Sequence, residues 1–367
     1  MDSLHFDVIV VGAGLSGLTA AGAAARRGLK VALVTTGPGS FVLGSGCIEA
    51  EELAQPGAAL EMAEAIAFFG EIAQAAGCPF EGSVSERHPL PTILGGFKSV
   101  ALAPRFLWNA DPGSGDSTAI VGVKELSSFD ENFMAERLNE QALRLGLSAT
   151  YQARQISLAP TFKGPVTTVR IATRFDTDQD FRAELLTAVR KATSGFERIL
   201  VPGMLGLNSS ESELAKFEHD IGCSLTELST LPPSISGLRL FHRLRAYLRD
   251  IGVELFEGLP VAKVEIIDGL CIELVIASPG HPLIRRGESV VLAAGQHTSE
   301  LLGNAIAGHD AQMRPLTSAG AVVASNLFDA EAGSCDTAEA SGNAMQICAG
   351  YRAAIAAAAT RGIYAAR

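Results

Sequence analysis

The chain has 367 residues, 47% of them hydrophobic, and a formal net charge of −11, a length that admits two domains or one large α/β domain with an insertion. The acidic balance, with no basic stripe to neutralise phosphates, argues against nucleic acid as a main partner. Cys47, Cys78, Cys223, Cys271, Cys335 and Cys348 are scattered without a C-x-x-C pair, which supports neither a zinc site nor a Cys-ligated iron–sulfur cluster and fits reduced thiols.

Phe6 to Val11 is an apolar, β-branched run of the kind that forms a strand buried on both faces. Gly12, Gly14 and Gly17 follow in G-x-G-x-x-G spacing, with Ala13, Leu15 and Ser16 between them. In that pattern the first glycine permits the tight turn, the second lets a pyrophosphate approach the backbone, and the third lets helix and strand pack closely. An Ala-rich helix from Leu15 to Arg27 ends at Gly28, and Leu29 to Thr35 forms the second parallel strand. The free N–H groups and positive dipole end of this helix make an anion site. A membrane span is disfavoured because patterned glycines split the apolar run. A signal peptide is disfavoured because Asp2 and Asp7, and no basic residue, flank its start. The position closing the second strand, where an acid would bind ribose hydroxyls, holds Thr35, followed by Thr36 and Gly37.

Gly44, Ser45 and Gly46 then mark a turn beside Cys47, read either as a flavin-lining loop or as an ordinary loop with a buried thiol. Glu51 to Ala76 is helical in composition. Gly77 to Lys98 is loop-rich, and strands are expected at Ser99–Ala103 and Ser117–Val123, with a turn over 111–116. A helix over Phe129–Leu145 is expected to be capped by Ser127 or Ser128. Strands are expected at Tyr151–Ala159 and Val166–Ala172, a helix at Asp176–Lys191, a strand at Arg198–Val201, and a helix at Ser209–His219. Leu225–Gly237 reads as extended. Leu238, Phe241, Leu244, Leu248 and Ile251 then fall at helical spacing, with Arg239, Arg243, Arg245 and Arg249 mostly on a solvated face. Gly252–Phe256, a hairpin around Val261, Val264 and Asp268–Gly269, and Ser289–Ala293 are further strands, the last ending in Ala294–Gly295. Asn326–Asp329 is a short final strand ahead of an Ala-rich helix from about Gly342 to Thr360.

These features in this order resemble the two-dinucleotide-binding-domain flavoproteins. The resemblance implies an α/β fold: a Rossmann-like FAD/NAD(P)-binding domain with a parallel sheet, plus an inserted mixed α+β domain. It implies a first part of the FAD-binding domain over 1–88, an inserted substrate or partner domain over 89–236, and a second part of the FAD-binding domain over 237–367. It also implies that the terminal helix, opening at Ser341, Gly342, Asn343 and Ala344, directs its N-terminus at the flavin pyrimidine, where a helix dipole stabilises the negative charge of the reduced ring. The backbone at Val261 would lie over the adenine.

The segments 201–207, 223–240 and 252–269 narrow the resemblance to the B-type subunit of anaerobic glycerol-3-phosphate dehydrogenase, with Leu231 to Leu240 the most specific stretch. That family implies a flavin-containing component of a multi-subunit dehydrogenase that oxidises sn-glycerol 3-phosphate and passes electrons toward the quinone pool. A sister flavoprotein subunit would carry most of the substrate chemistry, and an iron–sulfur subunit would link it to the membrane. The chain itself is then expected to be cytoplasmic or peripheral at the inner face of the cell membrane, touching it only through partners. FAD is the expected cofactor, with FMN the alternative. The expected ligand set is Gly12, Ala13, Gly14, Leu15, Ser16, Gly17, Thr35, Thr36, Ser45, Gly46, Cys47, Val261, Ala294, Gly295, Gly342, Asn343 and Ala344, with no catalytic acid or base named. Between Gly295 and Asn326 the chain is shorter than the family pattern, and its glycine-rich stretch after the final strand is reduced. A structural or regulatory subunit with a degenerate flavin site, and a stand-alone flavoenzyme acting on another small acid, are the alternative readings.

Overall fold

The computed structural model describes residues 5–49, 59–108, 117–295, 297–303, 306–331 and 342–360. The chain divides into two compact units, Met1–Phe41 with Gln55–Ile72 and Leu244–Arg367, and Val42–Ala54 with Ala73–Arg243. The second unit therefore begins ahead of the boundary expected at 88/89. Its limits fall inside two helices, Ala59–Ala75 and Ile235–Asp250.

The first unit is built on a parallel sheet. The strand His5–Ala13 lies between Val31–Pro38 and Leu283–Leu292, and Glu254–Glu257 extends the sheet beyond Val31–Pro38. Leu283–Leu292 is ten residues long and serves two partners. Its first residues pair antiparallel with Leu270–Ile276, which pairs in turn with Val261–Ile267. Its last residues pair in parallel with Leu327–Asp329. The antiparallel pair closes through Asp268 and Gly269, both at positive φ (50° and 71°), which is the two-residue turn the D-G signal implies. Phe6, Ile9, Val34, Leu274, Val290 and Leu327 share one apolar cluster of this unit. The helices Leu15–Ala25 and Asn343–Ala359 pack together, both Ala-rich and largely buried.

The second unit has a parallel four-stranded sheet in the order Ser224–Leu228, Arg198–Pro202, Ser117–Val123, Thr150–Ile156. A smaller antiparallel sheet gathers Ile48–Glu49, Phe80–Gly82 and His88–Pro91 around Phe97–Pro104. The loop-rich reading of Gly77–Lys98 thus missed two short strands, because proline-punctuated edge strands carry little alternation.

Several expectations are corrected here. Val166–Ala172 is not a strand: Thr168, Ile171, Ala172 and Phe175 form the buried stripe of a helix, Thr168–Thr177, capped by the Thr167 hydroxyl accepting from Arg170 N at 3.2 Å. The single helix expected over Asp176–Lys191 is broken at Asp178, which ends one helix and caps the next by accepting from Phe181 N at 2.9 Å. Asp130, not Ser127 or Ser128, caps Glu131–Leu145, accepting from Asn132 N and Phe133 N, each at 3.0 Å. The extended reading of Leu225–Gly237 holds only to Leu228, because helix Ile235–Asp250 starts right after the two prolines. Arg239 leaves the solvated face entirely: its side chain is 7% exposed and pairs with Glu227, 1% exposed, at 2.6 Å. The turn expected over 111–116 and the start of the helix expected at Glu51 lie outside the described residues.

Candidate functional site

The glycine turn at the carboxyl end of the first strand is the core of the site. Gly12 has φ +107°, and a Cβ there would lie 2.1 Å from the carbonyl oxygen of Ala293. A Cβ on Gly17 would lie 1.9 Å from the carbonyl oxygen of Gly12. Both glycines are therefore demanded by the fold. Gly14 differs: a Cβ there meets no atom within 4 Å. It is the N-cap of helix Leu15–Ala25, which has no side-chain cap and no acid in its first turn. The first intrahelical bond is Leu18 N to Gly14 O at 2.9 Å, so the amides of Leu15, Ser16 and Gly17 stand at an open, positive end. Ala13, Leu15 and Ser16 are buried and contribute backbone. A glycine with open space before an uncapped helix fits a diphosphate, which supplies the missing acceptors.

Thr35 is buried, and its hydroxyl is engaged locally, donating to Gly37 O at 2.6 Å and accepting from Gly37 N at 3.1 Å. Thr36 is exposed. Val261 is half-buried and opens the hairpin strand, in register with Ile276. Ala294 and Gly295 follow the strand that borders the glycine turn. Ala293 N donates to Val11 O at 2.8 Å, and Gly295 turns with φ +63°. Gly342 is the N-cap of the terminal helix, again with no side-chain cap and no acid in its first turn, with Asn343 and the buried Ala344 next to it. Ser341 lies outside the described residues. Gly350 of the same helix sits against the glycine turn's helix, where a Cβ would lie 2.0 Å from Ser16 O. Within the first unit, the glycine turn therefore borders Ala293, and the terminal helix packs on the first helix where Gly350 meets Ser16.

Ser45, Gly46 and Cys47 belong to the second unit. Ser45 Oγ accepts from Cys47 N at 3.2 Å, Ser45 O accepts from Ser236 Oγ at 2.8 Å, and Gly46 has φ +78°. Burial pushes the Cys47 thiol up to about 11, so it is not a thiolate at neutral pH.

Two carboxylates escaped the sequence reading. Asp329 ends the strand Leu327–Asp329, in register with Leu292 at the carboxyl edge of the parallel sheet, and is 2% exposed. Burial pushes its carboxyl up to about 6. Burial, reinforced by the Asp329 charge, pushes Glu331 up to about 7. The available signal was two acids closing an otherwise apolar strand. Among the described residues no group of three or more His, Cys, Asp or Glu is placed to hold a metal, and no helix is long and apolar enough to cross a membrane.

Residues 7–52 match the family described as FAD binding domain. The chain is also similar to two proteins named as the B-type subunit of anaerobic glycerol-3-phosphate dehydrogenase. That of Glaesserella parasuis is 24% identical over 327 residues, which is 81% of this chain and 76% of that one. That of Yersinia pestis bv. Antiqua is 27% identical over 329 residues, with the same shares covered. Among solved structures, L-amino acid deaminase from Proteus myxofaciens matches 83% of this chain at 14% identity and a TM-score of 0.34, and this chain spans about half, 49%, of that chain. The resemblance read in the sequence is found again in these relatives, and the chain is a flavin-dependent oxidoreductase with FAD as its cofactor.

Proposed function

We propose that this chain is the flavin-holding subunit of a complex like anaerobic glycerol-3-phosphate dehydrogenase, receiving electrons from glycerol 3-phosphate oxidation and relaying them toward an iron–sulfur partner. Bound FAD supplies the redox chemistry, because it takes up an electron pair and can release single electrons. The amides of Leu15, Ser16 and Gly17 hold the diphosphate, and Gly14 leaves room for it. The terminal helix, which opens at Gly342 and Asn343 with no acid in its first turn, favours negative charge on whatever faces its start. A sister flavoprotein subunit carries the substrate chemistry in this reading, and attachment to the membrane runs through partners. The observation that carries the reading is the contrast within one turn: two glycines packed against backbone and a third facing open space.

A second reading, a regulatory subunit with a degenerate site, draws on Thr35, whose hydroxyl is already engaged, and on the buried Asp329 and half-buried Glu331. One experiment separates the two. The chain is purified with its neighbouring subunits, its absorption spectrum is recorded, and the extracted cofactor is weighed by mass spectrometry. FAD near one per chain, with an iron–sulfur subunit co-purifying, is the expected result. An assembled complex in which this chain carries no flavin would establish the regulatory reading instead.

A further inference from the structure

In a dinucleotide fold, an acid at the end of the second strand ordinarily accepts from the ribose hydroxyls of the adenosine. Thr35 stands there instead, buried, with its hydroxyl bonded in both directions to Gly37. The adjacent strand Glu254–Glu257 runs parallel to Val31–Pro38, with Glu257 in register with Thr35, so the two backbones lie about 4.8 Å apart. The chain then turns through Gly258, φ +71°, and Leu259 N donates to Thr35 O at 3.2 Å. Glu257 is therefore the carboxylate nearest in the sheet to the place where the acid is missing.

Its orientation is fixed by Arg245, whose Nε and one terminal nitrogen meet the two Glu257 oxygens as a fork. Arg245 stands on helix Ile235–Asp250, and Leu248 of that helix lies 3.6 Å from where a Cβ on Gly22 of the first helix would be. The ion pair is thus on the same face of the sheet as the helix whose amides hold the diphosphate. Both side chains are 34% exposed, so a ligand can reach them.

We infer that Glu257, reaching across from the neighbouring strand, accepts from the adenosine ribose hydroxyls of FAD, with Arg245 as its positioning residue. This rests on the FAD-binding reading of the glycine turn. The test is equilibrium titration of the apo-protein, followed by flavin fluorescence, with FAD and with an FAD analogue whose adenosine lacks the 2′ and 3′ hydroxyls. The wild type is expected to bind the analogue about tenfold more weakly, the size of a lost hydrogen bond to a charged group. Glu257→Met is expected to bind both ligands equally, at the weaker level. Equal affinity of the wild type for FAD and the analogue overturns the assignment without recourse to any variant. So does a Glu257→Met protein that still distinguishes them. A wild type that binds neither ligand removes the FAD reading itself, and this assignment with it.

Discussion

Gly12, Gly14 and Gly17 look alike in the sequence and do different work. A side chain at Gly12 or Gly17 runs into a backbone carbonyl 2.1 or 1.9 Å away, whereas one at Gly14 meets only open space. Gly14→Val is therefore expected to fold with an unchanged melting temperature and to lose flavin binding, because its methyl groups occupy the diphosphate's approach. Full flavin occupancy in that variant would show that the ligand does not lie over Gly14. At Asp329 the same reasoning concerns a proton. The carboxyl titrates at about 6 in the fold against an ordinary value of 3.8. Between those values it is neutral when folded and charged when unfolded, so the folded state holds the extra proton. Stability from this group is then fully present below about pH 4 and is lost as pH rises through about 6. Asp329→Asn should match the wild type in urea unfolding at pH 4, and exceed it by about 1–3 kcal/mol at pH 8. Curves that separate at pH 4 and coincide at pH 8 would contradict the assigned sign. The spacing of the three glycines and their division of labour were legible, but the backbone that Gly12 packs against was not, because Ala293 lies 281 positions further along the chain. Asp329 was unreadable for a similar reason: only its register with Leu292 puts it at the sheet's carboxyl edge.

The first and terminal helices form an element pair whose closeness depends on Gly350. A Cβ there would lie 2.0 Å from Ser16 O, in the first turn of the helix proposed to hold the diphosphate. Gly350→Ala must push the helices apart, at a cost of about 1–3 kcal/mol as overpacking. It should also weaken FAD binding, since Ser16 moves with its helix. Thermal unfolding and FAD titration of one preparation check both effects; a variant with unchanged stability and affinity would mean that the two helices pack less closely than the Ser16 contact requires. Elements of this first unit were largely readable, because a buried parallel strand followed by glycines and an Ala-rich helix has few competing interpretations. The second unit was read less well, and the failures have a common cause. In Val166–Ala172 the branched residues suggest a strand, yet Ile171 and Phe175 are spaced for a helix. At Asp178 one acid caps a helix in the middle of what composition presents as one helical run. Propensity describes a residue by itself, whereas caps and buried stripes depend on neighbours three and four positions away.

At the scale of the whole molecule, the glycine turn and the buried ion pair fall in different units, which gives each its own signature. Glu227 accepts from Arg239 at 2.6 Å and from Met204 N and Leu205 N at 3.0 and 2.9 Å, and Arg239 Nε donates to Gly206 O at 2.9 Å. All of these residues belong to the second unit. This accounts for the specific stretch Leu231 to Leu240 without a ligand: its arginine ties the helix start to the turn after strand Arg198–Pro202. Arg239→Met leaves Glu227 buried without its counter-charge, and the cost of breaking such a pair is about 3–5 kcal/mol. FAD at a hundred times its dissociation constant stabilises the folded state by about 2.7 kcal/mol. Arg239→Met is therefore expected to melt at a lower temperature than the wild type without FAD, and still to gain stability when FAD is added. Gly14→Val is expected to show the reverse, an unchanged melt without FAD and no gain with it. Calorimetry of the three proteins with and without FAD tests this pairing. An Arg239→Met protein that melts like Gly14→Val, with no response to FAD, would mean that the buried pair in the second unit acts on flavin binding and that the site is not confined to the first unit's residues.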